Sequence, residues 1–181
     1  MSKLSMIIFL SFGIYIGAHA QPKWAEVIKD ESSVTYHLSH LLHTIEAVSK
    51  DVIYRIEIDA LKKEIKSVSA QVDVTTFDSG NSNRDSHAME VIDAITYPNA
   101  TFSSTSIIQR GDSLTVAGQL TFHGITKDVV LLGVTKWSQN KLEVQGGFAI
   151  SLTAFQVERP SLLMVPVKDE LQFALKASFV L

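Results

Sequence analysis

No cysteine occurs anywhere in the 181 residues. That removes disulfides and thiolate nucleophiles together, so any fold has to be held by its core alone. Proline and glycine are also scarce, with four and nine residues, which excludes collagen-like and linker-type chains. Basic side chains do not outnumber acidic ones: 16 stand against 19, a formal net charge of −3. A chain with no surplus or clustering of Lys and Arg lacks the electrostatic basis for holding nucleic acid. The short signatures of catalysis are missing too. There is no G-x-S-x-G elbow, no H-E-x-x-H pair and no glycine-rich phosphate cradle, so the chain reads as neither an enzyme nor a cofactor carrier.

The one long apolar run is at the start. Lys3 gives a positive head, Leu4 to Gly17 carries no charge, and Ala18-His19-Ala20 supplies a small-x-small cleavage pattern. That is a secretory signal, too short for a confident membrane span, with cleavage expected before Gln21. Residues 1–20 are therefore assigned to the signal and residues 21–181 to one domain of about 161 residues. Periplasmic or secreted localisation follows, with no stable membrane insertion once the signal is gone.

The rest of the chain is dominated by alternation. Trp24–Lys29 and Ser33–Ser39 read as short strands around a turn at Asp30-Glu31-Ser32. From Val52 onward the pattern is strict, with Val52, Tyr54, Ile56 and Ile58 on one side, then Val68, Ala70, Val72 and Val74 after a charged tip. Later strands repeat it through Leu114, Val116, Gly118, Leu120 and Phe122, and through Leu171 to Leu181 by twos. Val129 to Trp137 is apolar on both faces, which predicts that it lies against something. Period-two apolarity signals half-buried strands. Strands with one apolar face need a second layer or closure on themselves, and even hairpins favour an up-and-down barrel, with a β-sandwich as the competitor. The predicted class is all-β: an up-and-down antiparallel eight-stranded barrel with one short helix beside it.

The helix comes from the one stretch that breaks the pattern, Phe77 to Pro98. A loop dense in Ser, Asn, Asp and Gly leads into Ala88, Val91, Ile92 and Ile95, spaced as one helix face. Ser82 and Asp85 have the S-x-x-D spacing of a helix start.

Four pieces of the chain, in order, resemble the YceI-like family of polyisoprenoid-binding periplasmic proteins. They are Ser79-Gly80-Asn81-Ser82-Asn83-Arg84-Asp85-Ser86-His87, Tyr97-Pro98-Asn99-Ala100-Thr101-Phe102-Ser103-Ser104, Gly118-Gln119-Leu120-Thr121-Phe122-His123-Gly124-Ile125-Thr126-Lys127, and the run from Leu152 to Pro160. The resemblance implies a lipocalin-like barrel with an apolar lumen for a long-chain amphiphile such as an isoprenoid, fatty acid or fatty amide. It thus implies an exported lipid-binding protein whose partner is a lipid-like small molecule. Inward positions expected to line that lumen are Phe102, Val116, Leu120, Phe122, Phe148, Ile150, Phe173 and Leu175. Burial of apolar ligand surface there is worth about 25 cal/mol per Å².

The polar end of such a ligand needs partners. Arg84 and His87, at the helix start, are the first candidates for an anionic head group, and His123 and Lys127, flanking a turn, are the second pair. Each has a plainer reading: local pairing that ties the loop down, or a solvated hairpin. His37, His40 and His43 invite a metal, but His37 and His40 fall on opposite faces of a continued strand, so no metal site is assigned. The alternative to a lipid carrier is a filled barrel acting as a structural or interaction module of the cell envelope, its lumen plugged by Phe122, Phe148, Phe155, Phe173 and Phe179. A homodimer is left open.

Overall fold

In the computed structural model, which describes residues 23–41, 44–162 and 164–181, the short strands at the start prove to be halves of longer ones. β1 (Lys23–Val27) and β2 (Ser33–Ser39) flank a single 3-10 turn at Lys29–Glu31. Both pair with the last strand, β12 (Glu170–Val180). The break is held in register by Ser32, whose hydroxyl donates to the Ile28 carbonyl and accepts from the Ser178 amide. A side chain thus supplies the rung that the turn removes, as a buried amide requires. β3 (Thr44–Ser49) and β4 (Val52–Asp59) form a second interrupted strand, paired with β2 and β1 respectively.

The remaining wall runs in chain order. It comprises β5 (Glu64–Asp73), β6 (Asn99–Arg110), β7 (Ser113–Phe122), β8 (Ile125–Trp137) and β9 (Lys141–Ser151), before β12 closes it. Every pairing is antiparallel, and each joins strands adjacent in sequence except β9–β12, which the β10–β11 segment separates. With the two interrupted strands counted once each, this is a closed eight-stranded up-and-down barrel with a single helix, α1 (Ser82–Val91). A two-strand hairpin, β10 (Ser161–Leu162) with β11 (Val165–Pro166), stands apart from the wall. Among the described residues no helix is long and apolar enough to cross a membrane. The expected signal peptide and His43 lie outside the described residues.

The alternation becomes the core. On β7, Leu114, Val116, Leu120 and Phe122 are buried while their neighbours face out. One apolar cluster, with Ile56, Ile58, Leu142 and Phe179, fills the end of the barrel away from α1. A second, with Leu120, Phe122, Ile150, Leu152 and Phe155, packs beneath α1 and the segment after β9. Phe102 and Phe173 touch both clusters. The β7–β8 turn shows why glycine is needed at Gly124. Both turn residues, His123 and Gly124, have positive φ (49° and 71°), as tight two-residue hairpins demand, and a Cβ on Gly124 would meet the Tyr97 ring at 2.5 Å.

Three expectations change. The helix is capped by Asn81, whose side chain accepts from the Arg84 amide, one residue before the expected Ser82. It ends at Val91, and Asp93 then adopts φ 45°, turning Ile95 away to 98% exposure rather than onto the apolar face. Nothing among the described residues covers the outer row of β8: Val130, Leu132 and Val134 are 54%, 62% and 52% exposed.

Candidate functional site

The two core clusters do not fill the barrel. Between them lies a cavity of about 240 Å³, lined almost wholly by apolar side chains from Ile56, Val116 and Phe179 at one end to Leu152 and Val157 at the other. An eight-stranded barrel is just wide enough for side chains or one small ligand, and the packing here leaves room. Gly118 is the gap in the inward row of β7. A Cβ there would lie 2.5 Å from the tip of the Phe102 ring, so the missing side chain lets that ring lie flat on the wall. Phe148 and Phe173 stack at 5.0 Å with 20° between their planes. Stacked on each other, the two rings line the lumen together. Of the lumen residues expected from sequence, Phe102, Val116, Leu120, Phe122, Phe148, Phe173 and Leu175 line the cavity. Ile150 is buried in the cluster behind it.

Two straps cover the open end. The first is the segment through α1. It leaves the wall beside β3, where Val48 and Asp78 exchange both backbone hydrogen bonds, and arrives at the β7–β8 turn, where the Tyr97 ring meets His123 at 4.8 Å. The second runs from Leu152 to Lys168. It begins at the same turn, with His123 Nδ1 2.9 Å from the Phe155 carbonyl oxygen, and ends on the β2–β3 hairpin. There His40 Nε2 donates to Val165 O at 3.0 Å and the Lys168 amide donates to Ser39 O at 2.8 Å. Asp169 pins its start, accepting from the Ser151 hydroxyl and the Thr153 amide. These two donors hold its carboxyl below the usual range, the Ser151 bond contributing most. No residue of α1 itself is fully buried. It is a cover resting on the rim, not a piece of the core.

Arg84, Asp85 and His87, which carry the charge of the cavity lining, all lie on the first strap. Arg84 donates from Nε to Ser79 Oγ (2.8 Å) and from Nη2 to Ser79 O (2.7 Å), and Asp85 accepts from the Ser79 amide. Among the described residues no carboxylate forms an ion pair with Arg84. Arg84, Asp85 and His87 all line the cavity; the His87 side chain, 65% exposed and 3.6 Å from Glu90, marks where the lining reaches solvent. Sequence reasoning overlooked Tyr36, which shares the inward face of β2 with Val34 and Leu38 and also lines the cavity. Burial raises its phenol pKa, Asp85 raises it further and Arg84 opposes; all three residues line the same cavity. The alternation of β2 carried that signal.

The other candidates lie elsewhere. His123 sits in the turn between the straps and Lys127 is exposed on β8; neither lines the cavity. His37 Nδ1 lies 3.3 Å from Glu46, and the buried His40 is held on Val165 O.

With this geometry in view, the comparisons with known proteins are consistent. Residues 26–179 match the profile of the YceI-like domain. The chain is 27% identical over 158 residues to a UPF0312 protein of Vibrio campbellii, covering 82% of this chain and 84% of that one. Its fold is similar to that of Burkholderia cenocepacia BcnA (TM-score 0.77, 25% identity, 84% of this chain and 99% of that one). It is also similar to a polyisoprenoid-binding domain from Saccharophagus degradans implicated in plant cell wall breakdown (TM-score 0.62, 13% identity, 88% and 99%).

Proposed function

The chain belongs to the YceI-like family, and on that premise we propose that it is an exported carrier that holds one long-chain amphiphile, an isoprenoid, fatty acid or fatty amide, in the barrel lumen. The observation that carries this reading is the cavity itself: about 240 Å³, apolar along its length, with its charged groups at one end. Ligand sites usually measure roughly 300–1,000 Å³, so this one suits a single slender chain better than a fused ring system. A polar metabolite would leave buried hydrogen-bonding groups unpartnered along the apolar walls, at about 1–3 kcal/mol each.

The ligand's polar end belongs beside Arg84, His87 and Tyr36 rather than at His123 or Lys127, which face other surroundings. Arg84 retains guanidinium donors beyond those given to Ser79, and the Tyr36 hydroxyl can both donate and accept. Asp85 beside them disfavours a doubly charged head, so a hydroxyl, amide or single carboxylate fits best. Displacement of a fluorescent acyl probe tests this: the Arg84→Ala variant should bind a long-chain carboxylate about tenfold more weakly and a hydrocarbon-tailed alcohol nearly unchanged. Equal binding of every ligand by both proteins would remove the head-group assignment, and no probe binding at all would remove the carrier reading.

The filled-barrel reading draws its support from the Phe148–Phe173 stack in the lumen. It leaves the cavity unexplained, since close-packed interiors hold few voids larger than a water molecule. Export rests on the signal read at residues 1–20, and N-terminal sequencing of the protein recovered from the periplasm or medium should begin at Gln21. Among the described residues the lumen is lined almost wholly by apolar side chains, and a carrier without catalysis is the form proposed.

A further inference from the structure

The turns at the two ends of the barrel differ in kind. At the end away from α1, the β4–β5 tip carries Lys62, Lys63 and Glu64, and the β6–β7 and β8–β9 turns carry Asp112 and Asn140. Leu61 is the one large exposed apolar side chain at those three turns, and two lysines follow it directly. At the mouth the tips themselves are apolar. Leu41 on the β2–β3 hairpin is 80% exposed and Met164 on the β10–β11 hairpin 96%, and Ile95 stands out from the first strap.

These residues are grouped around the opening. His40 Nε2 donates to Val165 O, so Leu41 and Met164, the neighbours of those two residues in sequence, sit on adjoining tips. Ile95 lies two residues before Tyr97, whose ring meets His123 in the β7–β8 turn. In the strand order, β2–β3 and β7–β8 stand across the barrel from each other, with β5 and β6 between them on one side and β9 and β12 on the other. The apolar tips therefore straddle the mouth. None of the three lines the cavity or belongs to a core cluster. Two are displayed by backbone that residues other than glycine adopt uncommonly: Met164 itself has φ 66°, and Asp93, at φ 45°, turns Ile95 out.

From this we infer that the mouth of the barrel docks reversibly on a lipid bilayer, with Leu41, Met164 and Ile95 entering its interfacial region. A protein partner is met by a contiguous patch with a buried centre and a polar rim. Separate apolar points around an opening instead suit a flat, deformable surface, which accepts apolar side chains at the boundary of headgroups and acyl chains. Lys168 adds a cation for lipid phosphate. It is exposed and forms no ion pair among the described residues, and its amide is bonded to Ser39 O beside the Leu41 tip. Glu90 and Asp93 on the opposite strap temper the attraction to an anionic surface, so the apolar tips carry most of the binding. The purpose of docking rests on the carrier reading: a long-chain ligand crossing water exposes its tail, and a mouth set on the bilayer spares it that passage.

Flotation of the purified chain with vesicles of phosphatidylcholine, or of phosphatidylcholine and phosphatidylglycerol, measures the docking. Stopped-flow transfer of a fluorescent fatty acid from protein to vesicles measures its use. The wild type should float with both kinds, more strongly with phosphatidylglycerol, and its transfer rate should rise with vesicle concentration. The triple variant Leu41→Ser/Ile95→Ser/Met164→Ser should float about tenfold less and transfer at a rate independent of vesicle concentration. Its equilibrium binding of the probe in solution and its thermal unfolding should be unchanged, since all three positions are exposed and outside the cavity. Lys168→Glu should weaken flotation severalfold with phosphatidylglycerol and little with phosphatidylcholine alone. Leu132→Ser, on the exposed outer row of β8, should float like the wild type. Three results overturn the proposal: a wild type that floats with neither vesicle, which would leave the tips to a protein partner, a triple variant equal to the wild type, or flotation that depends on Leu132. The carrier reading fails separately, because flotation by a protein that binds no probe in solution would remove the carrier and keep the docking.

Discussion

His123 Nδ1 lies 2.9 Å from the carbonyl oxygen of Phe155. A carbonyl can only accept, so Nδ1 carries the proton and donates. The same ring packs against Tyr97, so one side chain in a two-residue turn fastens the far end of both straps over the cavity. Replacing His123 with Ala removes both contacts and leaves the Phe155 carbonyl without its donor, at a cost of about 1–2 kcal/mol. The loss should fall on the straps and not on the wall. Hydrogen exchange should quicken at Val157 and at Thr96 and Tyr97, amides bonded within the straps, while the β7–β8 ladder keeps its protection. Uniform acceleration throughout the barrel would show that the turn supports the wall instead.

Gly118 leaves the space on β7 that the Phe102 ring occupies. A methyl group there would meet Ser103 O at 2.4 Å and the Phe102 ring at 2.5 Å. Since the first neighbour is backbone, relief requires the sheet to shift as well as the ring to swing inward. Gly118→Ala should therefore destabilise the protein by about 1–3 kcal/mol in chemical denaturation, as overpacking does, and weaken acyl-probe binding. An alanine variant of wild-type stability would contradict the close packing of Phe102 on β7.

The second strap should respond to acid. Asp169 is held ionised by the Ser151 hydroxyl and the Thr153 amide, which depress its pKa. A depressed carboxyl contributes stability above its unfolded value, near 4, and that contribution is lost as pH falls through the lower folded value. Exchange of the Phe155 and Gln156 amides, measured relative to the barrel and corrected for intrinsic rate, should therefore rise below about pH 4. In Asp169→Asn it should be raised at neutral pH and show little further change with acid. If the two proteins follow the same pH course, Asp169 does not pin the strap.

Much of the wall was legible because alternation reports it directly: Leu114, Val116, Leu120 and Phe122 could face only one way. What stayed hidden depends on contacts distant in sequence. Nothing local says that Ser32 bridges the Ile28 carbonyl and the Ser178 amide, so β1 and β2 looked like separate strands. The apolar spacing of Ala88, Val91 and Ile92 announced the helix, but the backbone turn at Asp93 cut it short of Ile95. The inward positions could be named from their phase, but that Ile150 lies behind the cavity and that a cavity exists at all rest on how side chains such as Phe102, Phe148 and Phe173 place their rings. Tyr36 was in plain sight on β2; its significance comes from Arg84 and Asp85, which the first strap brings back across the rim.

The carrier claim is tested most directly by what the lumen holds. The purified protein, extracted with organic solvent and examined by mass spectrometry, should yield a reproducible long-chain lipid approaching one per chain. A lumen-filling Val116→Phe variant that still folds should lose it. A wild-type extract with no lipid above the solvent background, together with no uptake of fluorescent acyl probes, would contradict the account and favour the filled barrel.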